Sequence, residues 1–172
     1  MPRIDPIQIQ PYSDHAAMAV LKALDPADQL EANAVRGYHA THLELFADWR
    51  AINAARVLSV VLVDARRMEP FAVLALGNTG QAGVAQAAFL ARNHTRFRRQ
   101  IACAAAQIRR DMPGFCAEAG IRRIEARCWS DHPTAAQFLK LCSFHHEADM
   151  PGFGGANAPA IFRQFAWVRQ TV

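Results

Sequence analysis

The stretch from Arg96 to Glu147 constrains this chain most, because a helical apolar period there gives way to a two-residue one and then returns. Phe97, Ile101, Ala104, Ala105, Ile108 and Met112 recur every three or four residues, which places them on one face of a helix. Thr95 is its expected N-cap, and Pro113-Gly114 is expected to interrupt it. Gly120 reads as a helix C-cap. Ile124, Ala126 and Cys128 then alternate with charged residues, which predicts a strand with one apolar face. Ser130-Asp131-His132-Pro133 predicts the start of a second helix, with a polar cap and a proline in the first turn. That helix carries Ala136, Leu139, Leu141 and Cys142, and Phe144-His145-His146-Glu147 returns to extended chain.

The segments before and after fit around this unit. Ile4 to Gln10 alternates as a first strand. A helix is expected from Asp14 to Leu24, and another from the Asp25-Pro26 cap to Gly37, with Asp28 in its first turn where a negative charge suits the dipole. A third helix is expected from about His39 to Asn53. Arg56 to Asp64, Phe71 to Leu76 and Val84 to Leu90 read as three antiparallel strands, with Gly77-Asn78-Thr79-Gly80 and Gly83 marking a hairpin. Met150 to Gly155 reads as a glycine loop and Ile161 to Val168 as the closing strand.

At 172 residues the chain is read as one domain, 1–172, long enough to build a core. The fold class expected is α/β (α+β by some conventions), with a mixed, mostly antiparallel sheet and helices on both faces. No apolar run approaches the length of a membrane span, and no secretory signal pattern opens the chain, so a cytoplasmic setting is expected. The net charge of +4 comes from arginine, since lysine occurs only at Lys22 and Lys140; it is compatible with nucleic acid or a phosphorylated ligand. The four cysteines contain no C-x-x-C pair and read as buried reduced thiols.

The sequence D-x-P-x-A-x-x-F-L-x-x-x-x-F from Asp131 to Phe144, flanked by strands, resembles the C-terminal half of the GNAT fold, the acetyl-CoA-dependent N-acetyltransferases. More narrowly, Arg96-Phe97-Arg98-Arg99, Phe138-Leu139-Lys140, Phe144 to Glu147 and the Pro26, Asp28, Glu31 spacing resemble small GNAT-like proteins of tailed bacteriophages, in the podovirus internal virion or assembly group.

The resemblance says where a site would lie. The turn before the central helix should wrap the CoA pyrophosphate with a glycine-rich loop, whose glycines let the backbone approach the phosphates. Here Ala91 to Ile101 contains no glycine, so any phosphate would have to be held by arginine side chains, among them Arg96, Arg98 and Arg99. Phe89 and Leu90 would supply backbone to the pantetheine arm. The tyrosine that many members use to protonate the thiolate falls at Leu139, which cannot transfer a proton, and Ser143 replaces the usual glycine before Phe144. Glu125 and His132 are candidates for the base, with the adjacent His145 and His146 behind them. No metal site is expected; His39 and His42 share a helical spacing but lack a third ligand.

Two functions follow from the resemblance. One is a non-catalytic virion structural or assembly protein with a degenerate acetyl-CoA site, expected to bind other protein chains and no cofactor, and to enter a virion in the host cytoplasm. The other is an active acyl-CoA N-acyltransferase with acetyl-CoA as cofactor. A gap open from Phe89 to Cys128 would favour the enzyme; a gap filled by Phe97, Phe89 or Leu139 would favour the structural protein. Nucleic-acid binding through Arg96, Arg98, Arg99, Arg109 and Arg110 is a third reading, without an accompanying motif.

Overall fold

A computed structural model describes residues 6–170. One seven-stranded sheet runs through it, built from β1 (Ile7–Pro11), β2 (Arg56–Asp64), β3 (Glu69–Asn78), β4 (Val84–Ala91), β5 (Arg123–Trp129), β6 (His145–Gly155) and β7 (Ala158–Val168), in the order β1-β2-β3-β4-β5-β7-β6. Every neighbouring pair is antiparallel except β4 with β5. The helices are α1 (Asp14–Leu21), α2 (Pro26–Arg36), α3 (His42–Ala51), α4 (Arg98–Glu118) and α5 (Ala135–Leu141). This is the mixed, mostly antiparallel architecture expected from the sequence. Of the first expected strand, Ile4 and Asp5 lie outside the described residues.

Alternation along the strands sorts the core onto two faces. Val61, Val63, Val73 and Ala75 pack against Ala17, Val20, Leu21, Leu45 and Trp49 on the α1 and α3 side. Leu62, Ala72 and Ala91 pack against Phe97 and Ala104, and Ile124, Ala126 and Cys128 against Ala105, Met112 and Cys116, on the α4 and α5 side. Among the described residues no helix is long and apolar enough to cross a membrane.

Local chemistry fixes the helix starts. Asp25 caps α2 by accepting the Ala27 N–H at 2.9 Å, Pro26 follows, and Gly37 closes the helix in the left-handed conformation. Thr41 and Glu44 form a reciprocal capping box at α3. That box starts α3 at His42 and leaves His39 in the loop before it, where its ring meets Asn33, so His39 and His42 share no helical face.

Several boundaries differ from those the sequence predicts. The long helix begins at Arg98 rather than Thr95, because Asn93 organises a turn first, accepting the Arg96 N–H on its side chain and the Phe97 N–H on its carbonyl. The same helix runs through Pro113-Gly114 to Glu118. Proline removes one rung of the ladder, but buried Met112 and Cys116 on either side hold the helix to the core, and packing outweighs propensity. The segment Met150 to Gly155 is strand, not loop: it pairs with β7, with a register shift between Met150 and Phe153 that takes Pro151 out of the ladder. The second helix begins at Ala135, two residues beyond Pro133.

Candidate active site

β4 and β5 pair only from Val84 to Gln86 against Arg123 to Glu125, and then separate. The exposed strand edges have specific partners at the far end. Asp28 Oδ2 accepts the Ala91 N–H at 2.7 Å, and a carboxylate oxygen of Glu31 accepts the Trp129 N–H at 2.7 Å. These two acids lie one turn apart on α2, so a single helix caps both parting strands. Ala91 turns its N–H to Asp28 and its carbonyl to the Asp25 N–H, both away from β3. By the two-residue alternation of a strand, Phe89 also turns its backbone into the gap, while Leu90 turns towards β3. On β5, Trp129 and therefore Arg127 face the gap in the same way. The result is a slot whose β4 edge at Phe89 is unpaired among the described residues, with paired strands at its root and carboxylates at its mouth.

The mouth carries a second layer of polar contacts. Asp28 Oδ1 lies 2.9 Å from His132 Nε2 and 3.1 Å from His94 Nε2, and the two rings are 5.8 Å apart. His132 Nδ1 accepts the N–H groups of Thr134 and Ala135 at 3.2 and 3.0 Å. Its proton is therefore on Nε2, where it is donated to Asp28. His94 donates its backbone N–H to Asp25 at 2.8 Å, and its Nδ1 lies 3.3 Å from the Thr134 hydroxyl.

Burial pushes the Asp28 carboxyl up, but bonds from His132, His94 and the Ala91 N–H more than reverse this and hold it below the usual carboxylate range. Burial lowers His94, yet its bond to Asp28 and the charges of Asp28 and Asp25 outweigh that and raise it. Glu31 goes the other way: burial raises it, and the Trp129 N–H offsets only part.

Asp28, His94 and His132 bring three ligand-type atoms within 4.8 Å of one another. They do not fit a metal as arranged. A metal on His132 Nε2 would move the ring proton to Nδ1, which already faces two backbone donors.

The residues singled out in the sequence fall in different places. His132 lies in the cluster. Glu125 sits at the paired root of the slot, bonded to Arg123 at 2.8 Å. His145 and His146 are exposed on β6, and His146 bonds Asp149. Phe89 stacks on Phe138 of α5 with ring centroids 4.4 Å apart, spanning the slot on the α4 and α5 side. Arg96 is paired with Glu69. Arg98 and Arg99 are exposed in the first turn of α4, which has no side-chain cap and no acid, and neither has an ion-pair partner among the described residues. The four cysteines are free thiols, and burial pushes Cys116 and Cys128 up to about 11 and Cys142 to about 12. Sequence reasoning missed His94 and the capping roles of Asp28 and Glu31; the one available sign was two acids a single turn apart ahead of an otherwise apolar helix face.

A cavity of about 900 Å³ passes through the gap. Its α4 side is lined by Phe89, Ile101, Ile108, Phe138 and Leu139, and its opposite end lies between α2 and α3.

A seven-stranded mixed sheet whose two parallel strands splay apart defines the chain as a GNAT fold. Solved structures agree over almost the whole length. A GNAT-family acetyltransferase from Bacillus anthracis is similar at 9% identity and a TM-score of 0.72, with 96% of each chain covered. Ard1 from Thermoplasma volcanium matches at 15% identity and a TM-score of 0.65, over 96% of this chain and 99% of that one. Spermidine N-acetyltransferase from Vibrio cholerae, in complex with CoA and spermine, matches at 11% identity and a TM-score of 0.65, over 95% and 96%. No family model and no curated protein matches the sequence.

Proposed function

We propose that the protein is an acyl-CoA-dependent N-acyltransferase that binds its thioester in the slot between β4 and β5. The observation that carries this reading is the juxtaposition of an unpaired strand edge at Phe89 with the Asp28, His94 and His132 cluster at its mouth. The pantetheine arm pairs with the Phe89 backbone as an added strand would. Arg98 and Arg99 hold the phosphates through charged side chains, where a glycine-rich loop would hold them through backbone N–H groups. Two arginines in the first turn of a helix oppose its dipole, a cost that a bound anion removes.

The chemistry is transfer of the acyl group from sulfur to nitrogen. The amine attacks the thioester carbonyl, His94 takes the proton that the nitrogen loses, and the C–S bond breaks to release the thiol. Asp28 stabilises the imidazolium formed, and His132 holds Asp28 in place. Raising the affinity of His94 for a proton strengthens it as a base but requires a pH at which it is unprotonated. No tyrosine stands at the leaving group, so the thiolate departs unaided or takes its proton from the His94 imidazolium.

A second reading keeps two supporting observations. The Phe89 and Phe138 stack closes the slot on one side, and the loop from Ala91 to Ile101 has no glycine. Both suit a GNAT-like phage protein that has lost its cofactor and serves in virion structure or assembly through contacts with other chains. The test is thiol release from acetyl-CoA in the presence of a panel of amines. The enzyme reading expects turnover that rises with pH through the His94 titration and is lost in His94→Gln. Hydrolysis at the background rate with every amine supports the structural protein.

A further inference from the structure

Among the described residues, two buried donors at the end of the cavity between α2 and α3 have nothing to donate to. Trp49 is 6% exposed, and neither its Nε1 nor Arg56 Nη1 has a hydrogen-bond partner among those residues. The Arg56 guanidinium lies 4.1 Å from the centre of the Trp49 ring, and both side chains line the cavity. A bulge puts them together. Register shifts between Arg56 and Leu58, so Arg56 stands opposite Gly77 and turns to the α3 side, away from the face that Leu58 and Val60 share. No acid pairs with Arg56 among the described residues. Asp48 lines the same end, but Arg36 of α2 takes its carboxylate at 2.7 Å, tying α2 to α3. Burial lowers Arg56 below its ordinary range, and the neighbouring Tyr12 offsets only part of that.

Indole N–H and guanidinium only donate, and one of them is a cation. We propose that this end of the cavity binds the carboxylate of the acceptor amine, with Arg56 and Trp49 donating to its oxygens. The acceptor role rests on the acyltransferase reading above; the carboxylate site itself does not.

Strand geometry sets the length of such an acceptor. Arg56 shares a row with Gln86, two strands away, or roughly 10 Å. Phe89 lies three residues further along β4, again about 10 Å. Amine and carboxylate are then on the order of 14 Å apart, about four extended residues. The acceptor class is a short peptide or an amine of similar length with a terminal carboxylate.

The experiment is isothermal titration of the full chain, without thioester, using the peptide Ala-Ala-Ala-Ala and its C-terminal amide. The free acid is expected to bind at least about tenfold more tightly than the amide, as a charge-assisted bond requires. Arg56→Gln should erase that preference with an unchanged or higher melting temperature, and Trp49→Phe, which keeps the ring and loses the N–H, should weaken the acid several-fold. Equal binding of acid and amide, no binding of either, or a preference that survives in Arg56→Gln overturns the proposal. Because no thioester is present, that failure leaves acetyl-CoA binding untouched, and a failure of acetyl-CoA to bind leaves this result readable.

Discussion

Asp28 and His132 are 104 residues apart in sequence and share a buried hydrogen bond of 2.9 Å. The bond ties α2 to the turn between β5 and α5, and the other oxygen of Asp28 ties α2 to the end of β4. One carboxylate thus fixes the width of the slot and presents His94 to it.

Removing that carboxylate should cost more than an ordinary core change. Asp28→Ala leaves the Ala91 N–H and the His132 Nε2–H without their acceptor in a buried site, and is expected to destabilise the fold by about 3–5 kcal/mol. Asp28→Asn keeps one acceptor and places an NH₂ against a donor, for about 1–3 kcal/mol. Urea denaturation midpoints of the two variants measure this. Equal losses would mean that the two donors do not both depend on this carboxylate.

The pH dependence of stability has two limbs of opposite sign. Asp28 titrates lower in the folded chain, so its contribution is present above the unfolded carboxylate value of about 3.9 and is lost as pH falls through its depressed value. His94 titrates higher in the folded chain, so its contribution is complete below about 6.5 and is lost as pH rises through its raised value. Stability should therefore decline on the alkaline side of a plateau between these values. His94→Gln is expected to flatten the alkaline limb and leave the acid limb; an unchanged alkaline limb in denaturation series would show that another group titrates there.

Ser143 occupies a left-handed conformation, with φ of 69°, immediately before Phe144. Ser143→Gly should relieve that strain and stabilise the protein by about 1 kcal/mol, which raises the melting temperature by roughly 2–4 °C. A drop in a thermal melt would mean that the serine has a compensating contact.

Phe138→Ala tests whether the aromatic stack plugs the slot or forms part of it. It removes the ring stacked on Phe89 and is expected to cost about 2 kcal/mol of stability, less than a fully buried phenylalanine because Phe138 is half-buried. If the slot admits a thioester arm, acetyl-CoA should bind this variant as tightly as wild type or more so. Loss of binding along with the ring would make the stack part of the site rather than its plug.

Much of the fold is legible in the sequence, because it rests on local periodicity. The alternation of Ile124, Ala126 and Cys128 and the cap at Asp25-Pro26 each act within a few residues. Ser143 stands where the resemblance to GNAT proteins implies a glycine, and its backbone takes the left-handed conformation that a glycine adopts readily. The site is less legible. His132 is a candidate from sequence, but Asp28 reads there as a charge on a helix dipole and as part of the Pro26, Asp28, Glu31 spacing, not as a member of a site. Its partners Ala91 and His132 lie 63 and 104 residues away, and spacing along the chain carries no trace of them. His94 lies inside a stretch whose missing glycines are its more conspicuous feature. Pro113 and the glycines from Gly152 to Gly155 mislead for the opposite reason: each breaks a local rule that packing or a bulge then overrides.

The acyltransferase reading requires the gap between β4 and β5 to be a working slot for an acyl thioester. The most direct measurement is a thermal melt with and without millimolar acetyl-CoA, on the wild type and on Arg98→Ala and Arg99→Ala. Ligand at about 100 times its dissociation constant adds about 2.7 kcal/mol, a rise on the order of 5–10 °C for a chain of this size. That rise is expected in the wild type, and either arginine variant should lose it in large part. An unchanged midpoint in the wild type would contradict the enzyme and leave a closed slot, a GNAT fold turned to binding other chains.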